Sequence, residues 1–246
     1  MGSIQKAMSK IWFFGDSYAA INSSSEKSWT INVVEAFPEH DTENHAYGGS
    51  SLDYLYYTYN KQRKAFQQGD IVIFTITNST RLFLSGGVKR PHFMNVNWKS
   101  TENGREDHVR GDKYYDYFVS ELFNIDSVAA MLDIFLDFLY HESMTKGIKI
   151  IGLPISGKQW NSRTLNTVPP VDYKTKSRGN LHIACGDKSL AEATAAQFPN
   201  KDERKKLDKT YANHLTPRNN EILANKVIRH IKTNETIDLT TEWEYT

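Results

Sequence analysis

Three short apolar runs punctuate the chain, at residues 11–14, 71–76 and 148–153, and each gives way to polar or glycine-containing sequence. Unbroken apolar runs of this length, without polar alternation, read as strands buried on both faces, as in a parallel sheet. Helical periodicity fills the gaps between them. Residues 28–37 and the tyrosine-rich stretch 51–67 predict a first and a second helix, the second stopping at Gln68, Gly69 and Asp70 before the next strand. Between 127 and 142, Val128, Met131, Leu132, Phe135, Leu136 and Leu139 recur at three- and four-residue steps and mark one helix face. A last helix begins after Thr216, with Pro217 at an early position where its missing N–H is tolerated, and carries Ile222, Leu223, Val227 and Ile231.

Strands that alternate with helices predict an α/β fold, a three-layer α/β/α sandwich around a mostly parallel central sheet. Such sheets keep their sites in the loops at the carboxyl ends of the strands, so the chemistry is expected after Phe14, Ile76 and Leu153. Segments of about 84–124 and 156–208 are long for simple connections and are read as insertions that cover the site or hold short elements of their own. Neither has the composition of a flexible linker, and the expectation is a single domain over 1–246.

Composition narrows the function classes. Thirty basic against 29 acidic residues give a formal net charge of +1, so no long-range field draws the surface to nucleic acid or to an anionic membrane. One cysteine, Cys185, rules out an intramolecular disulfide and fits a reducing compartment. The N-terminal MGSIQKAMSK lacks the apolar centre of a signal peptide, no run of apolar residues is long enough for a membrane span, and Lys6 stands where a myristoylation signal wants Ser or Thr. A cytoplasmic protein is expected on these grounds. Apart from His214, the histidines are scattered without metal-ligand spacing; His182 and Cys185, three apart in HIAC, read as packing residues, and no metal is expected.

Gly15, Asp16 and Ser17 directly follow the first apolar run in IWFFGDSYA, where a tight turn would expose the serine hydroxyl at the carboxyl edge of the sheet. A serine hydroxyl is a weak nucleophile until a base takes its proton. His214, in NHLTPRNNEILA just before the last helix, is the histidine that a fold of this type can bring to that edge.

The blocks GDSY at 15–18 and HLTP at 214–217 resemble the first and last blocks of the SGNH, or GDSL, hydrolase family. The resemblance implies a flavodoxin-like sheet and two intermediate blocks. HAYGGSS fits the family's oxyanion-hole glycine, with Gly49 the better match and Gly48 the alternative, and TNST supplies an asparagine at Asn78. The implied oxyanion donors are thus Ser17, Gly49 and Asn78. The implied activity is a serine esterase that needs no metal or organic cofactor and acts on a small-molecule or carbohydrate ester, such as an O-acetyl group. The matching blocks cover a small fraction of the chain.

The family places an aspartate three residues before the histidine, and here that residue is Tyr211. The nearest upstream carboxylate is Asp208, six residues before His214. Three readings stay open: Asp208 reaches His214, a backbone carbonyl replaces it in a Ser–His dyad, or the site is degenerate. The rival functions are a non-catalytic structural or binding protein on the same fold, for example a phage or assembly component, and an O-acyltransferase. Structural readings accompany the chemical ones. GGSS can cap the following helix through Ser50 or Ser51. The tyrosines of LDYLYYTYNKQRKAF at helical spacing are expected to pack on the sheet, whereas Trp98, Tyr114, Tyr115, Tyr117 and Trp160 could wall a cleft.

Overall fold

The computed structural model describes residues 8–21, 27–76, 81–84, 92–95, 125–155, 176–184, 190 and 214–244. Strands β1 (Lys10–Phe14), β2 (Asp41–Asn44) and β3 (Ile71–Ile76) are followed by a short antiparallel pair, β4 (Arg81–Leu84) and β5 (His92–Asn95), and then by β6 (Lys149–Pro154) and β7 (Leu181–Ile183). Among the described residues, five strands form one parallel sheet in the order β2-β1-β3-β6-β7. The crossovers reverse direction between β1 and β3, and the carboxyl ends of strands at such a switch point leave a crevice.

The apolar runs account for the sheet's centre. Ile11, Phe13, Ile71, Ile73, Ile151 and Leu153 point to one face, where they meet Trp29 and Val33 of helix α1 (Trp29–Glu35) and Leu223 and Val227 of the last helix. Trp12, Phe14, Val72, Phe74, Ile76 and Ile150 point to the other, where they meet Leu52, Leu55 and Tyr59 of α2 (Leu52–Gln62) and Leu132, Leu136 and Leu139 of α3 (Ile125–Lys146). Helices therefore cover both faces of a parallel sheet, the expected α/β arrangement. Each fully buried side chain of this size contributes roughly 1.5–3 kcal/mol through removal from water.

Helix limits follow from local chemistry. Ser28 caps α1 by accepting from Ile31 N, and Thr216 caps α4 (Pro217–Thr233) by accepting from Asn219 N at 3.2 Å. Helix α4 ends at Asn234 in the left-handed region (φ 59°), and the chain then turns back to insert Ile237, Leu239 and Trp243 into the core beside it. Helix α2 is shorter than its tyrosine pattern predicted, because residues Arg63–Ala65 tighten into a 3-10 turn. Its Tyr59 is buried and donates to Glu142 of α3 at 2.6 Å, a carboxylate that also accepts from Arg63 at 2.8 Å. Burial and the adjoining carboxylate push the Tyr59 phenol well above its usual range.

Two strands of the parallel sheet carry no long apolar run and escape sequence reading, as do β4 and β5 outside it. The edge strand β2 is DTEN, held by backbone pairing to β1 and by a Lys10–Glu43 ion pair of 2.6 Å. At the opposite edge, β7 is only three residues long. Most of the two long insertions lies outside the described residues, as do Cys185, Trp98, Tyr114, Tyr115, Tyr117 and Trp160. No helix among the described residues is long and apolar enough to cross a membrane.

Candidate active site

The chain leaves β1 through Gly15, whose φ of +124° is in a region closed to side chains. A Cβ at this position would lie 2.0 Å from Thr75 Oγ1 and 3.0 Å from the Thr75 backbone N and O. Only glycine lets β1 pass that close to the end of β3. The next residue, Asp16, is buried at 1% exposure and serves as a turn-former. Its backbone N donates to Thr75 Oγ1 at 3.2 Å, the Thr75 hydroxyl contacts Asp16 Oδ1 at 3.3 Å, and Oδ1 accepts from Tyr18 N at 3.0 Å. The backbone carbonyl of Asp16 accepts from Ala19 N and Ala20 N. Ser17 thus stands at the apex of a turn whose flanking residues are pinned.

The loop after β2 is fastened to the same turn. His45 N donates to Phe13 O at 2.8 Å and Tyr47 N to Gly15 O at 2.9 Å, continuing the ladder past the strand ends. Asn44 Nδ2 donates to Ala19 O at 2.8 Å, while Ser50 Oγ donates to Gly15 O at 2.8 Å. Ser50 is therefore spent on the Gly15–Ser17 turn, and the cap position of α2 falls to Ser51. Ser51 occupies the cap position without a side-chain cap bond and points its hydroxyl to Asp53. A Cβ on Gly48 would lie 3.9 Å from Ser17 Cβ, so this loop abuts the serine. Gly49 takes φ +80°, with nothing within 4 Å of where its Cβ would be.

His214 arrives from the other end of the chain. Its Nε2 is 2.7 Å from Ser17 Oγ across 197 residues of sequence, and its ring lies 4.9 Å from that of Tyr18. The residue adopts φ 62°, which turns the chain sharply just before Leu215 buries itself in the core. The geometry joins the serine and histidine singled out by sequence. Asn78, Asp208 and Tyr211 lie outside the described residues.

Trp29, Asn220 and Asn219, read from sequence only as helix positions, hold this pairing in place. Trp29 Nε1 donates to Tyr18 O at 2.5 Å, and Trp29 N donates to Asn220 Oδ1 at 2.9 Å. Asn220 Nδ2 in turn donates to Leu215 O at 2.9 Å. One buried tryptophan consequently ties the serine turn to the histidine loop. Asn219 adds a second anchor by bonding Glu244 in both directions, Nδ2 to the carbonyl at 3.0 Å and Oδ1 from the backbone N at 2.9 Å. Burial of these two asparagines is the only signal that could have found them, and a sequence of polar residues in PRNNE does not reveal it.

A second polar cluster sits away from the serine. His182 of β7 stacks on His230 of α4 with ring centroids 4.1 Å apart. Ile237 N donates to His182 Nε2 at 3.2 Å, and the His230 Nδ1 lies 2.7 Å from Glu235 O. Burial, followed by the neighbouring His230 and Lys149 charges, pushes His182 down to about 4, and burial also lowers His230. His182, read from sequence as a packing residue, thus packs on His230, while Cys185 of HIAC lies outside the described residues. Among the described residues, no group of three or more His, Cys, Asp or Glu side chains could hold a metal ion.

No protein-family model matches the sequence, and no curated protein matches it. Among solved structures, the chain is similar to protein YxiM of Bacillus subtilis, with 13% identity and a TM-score of 0.34 over 63% of this chain. The match spans 35% of that protein, about a third of its length. At this distance the likeness carries no argument, and the functional reading stands on the geometry around Ser17.

Proposed function

We propose that this chain is a serine esterase of the SGNH type, in which Ser17 attacks an acyl ester with His214 as its base. The carrying observation is the 2.7 Å approach of His214 Nε2 to Ser17 Oγ, at the carboxyl end of β1 beside the switch point of the sheet. Removal of the Ser17 proton by Nε2 lets Oγ bond to the acyl carbon. The imidazolium then returns that proton to the departing alkoxide, which leaves as an alcohol. Water, deprotonated by the same nitrogen, attacks the acyl-enzyme and releases the acid, restoring Ser17 with its proton. The chemistry balances without metal, oxidant or cofactor.

The oxyanion formed at each attack requires fixed donors. We assign the N–H groups of Ser17 and Gly49 and the side-chain amide of Asn78, with Asp208 the candidate to orient His214. A Cβ added at Gly48 would come within 3.9 Å of Ser17 Cβ, which supports a role for this loop beside the serine. An O-acetyl ester is the first substrate to try. p-Nitrophenyl acetate turnover, with mass spectrometry after a fluorophosphonate probe, tests the proposal. Turnover and a Ser17 adduct are expected, and Ser17→Ala should lower turnover by about 10³-fold or more. If neither turnover nor adduct appears, the catalytic reading fails. Tyr211, in place of the family's aspartate, favours the second reading, a non-catalytic module on the same fold, for which Ser17→Ala would leave the biological role intact.

A further inference from the structure

The turn that carries Ser17 carries a ring directly after it. Tyr18 is 9% exposed and belongs to the core that also takes in Trp29 and Leu215. Its backbone is held on both sides, since Tyr18 N donates to Asp16 Oδ1 at 3.0 Å and Tyr18 O accepts from Trp29 Nε1 at 2.5 Å. A ring set on so fixed a backbone forms a stationary wall. The imidazole of His214 rests against it, with centroids 4.9 Å apart and planes inclined by 40°.

The histidine is fixed in two stages. Its φ of 62° lies in the left-handed region, which a residue with a side chain occupies only where the surroundings impose it. Burial of Leu215, with Asn220 Nδ2 on its carbonyl at 2.9 Å, supplies that constraint from the carboxyl side. This settles the backbone but not the ring, because χ2 of histidine is a broad, roughly two-fold torsion without a steep minimum of its own. Packing has to choose the orientation in which Nε2 meets Ser17 Oγ at 2.7 Å.

We propose that Tyr18 is a positioning residue, whose ring holds the His214 imidazole in the orientation that aims Nε2 at Ser17 Oγ; its kinetic consequence rests on the esterase reading above. Ser17 and this support are consecutive residues on one turn, so a shift of the turn carries both together. The role belongs to the ring and not to the phenol hydroxyl. Tyr18 acts through His214, and the group facing the far nitrogen of the imidazole has no part in the assignment.

The test uses the full chain and p-nitrophenyl acetate. Tyr18→Leu should lower kcat about tenfold with KM within about twofold of the parent, because a displaced base costs reactive orientation and leaves ester binding alone. Tyr18→Phe keeps the ring and should restore most of the parent kcat. If thermal unfolding shows that Tyr18→Leu does not fold, Tyr18→Met, whose unbranched side chain fills irregular space, takes its place. An undiminished kcat without the ring, a rise in KM alone, or a Phe variant as slow as the Leu variant overturns the assignment. NMR of the His214 imidazole, assigned by the signal missing in His214→Gln, gives a reading that needs no turnover. Loss of the Tyr18 ring should shift the His214 Hε1 resonance, through the lost ring current, and broaden it as the imidazole samples further orientations; Tyr18→Phe should leave it in place. A parent with neither turnover nor a Ser17 adduct removes the esterase reading, and the support is then decided by that resonance. An Hε1 signal equally sharp and unshifted in Tyr18→Leu overturns it.

Discussion

Replacing Asn220 by alanine tests whether α1 couples the two halves of the site. The side chain is fully buried, accepts from Trp29 N at 2.9 Å and donates to Leu215 O at 2.9 Å. Alanine leaves a buried donor and a buried acceptor without these partners, at about 1–3 kcal/mol for each group. A total near 3 kcal/mol allows for some relaxation and translates into a fall in Tm of roughly 6–12 °C for a domain of this size. Turnover should fall as well, because Leu215 follows His214 directly and its carbonyl is one of the points that fix the loop. The assay is thermal unfolding followed by tryptophan fluorescence, with kcat measured well below the transition. A Tm within about 2 °C of the parent would refute the coupling, since that margin corresponds to less than one lost buried hydrogen bond.

Gly15→Ala should prevent stable folding or lower stability by more than about 3 kcal/mol, because it combines a forbidden φ with a 2.0 Å approach to Thr75 Oγ1. Adding Thr75→Ala should restore only part of the loss in a urea titration, as the Thr75 backbone still crowds the new methyl. Because His182 sits at about 4 in the fold, against an ordinary 6.5, the unfolded chain binds the extra proton between those values. Stability should therefore be undiminished above pH 6.5 and fall progressively toward pH 4. Full linkage would amount to about 3 kcal/mol, discounted to about 2 kcal/mol for partial exposure, and urea midpoints at pH 7 and 4.5 check it against His182→Phe, which should flatten the slope. Tyr59→Phe removes the hydroxyl donor of buried Glu142 and should cost about 1–3 kcal/mol in the same titration. Asn78→Ala should lower kcat by roughly two orders of magnitude with p-nitrophenyl acetate if its amide serves the oxyanion.

The strands at the centre of the sheet were legible because burial on both faces leaves no room for polar residues, so β1, β3 and β6 announce themselves as apolar runs. Edge strands escape that constraint: β2 pairs through its backbone while its side chains stay polar. Ser17 and His214 could be read because each sits in a short local motif beside an element boundary. Trp29, Asn220 and Ser50 could not, since their roles are contacts across 11, 191 and 35 residues that no local pattern encodes. The α2 tyrosines divide for the same reason, with Tyr59 buried and Tyr57 exposed. Helical spacing groups Tyr54 with Tyr57 and sets Tyr59 on another face, but only the fold decides which face meets the sheet.

The long span between Ser17 and His214 also makes their encounter a late event in folding. Closing so large a loop is entropically unfavourable, and contacts of high sequence separation form slowly. Strands β1, β3 and β6 can assemble without the final helix, whereas Ser17 meets His214 only once α4 has docked against α1 and the sheet. On the proposed esterase reading, labelling of Ser17 by a serine-directed probe would then count completed molecules, and a partly assembled chain with its sheet in place would remain silent.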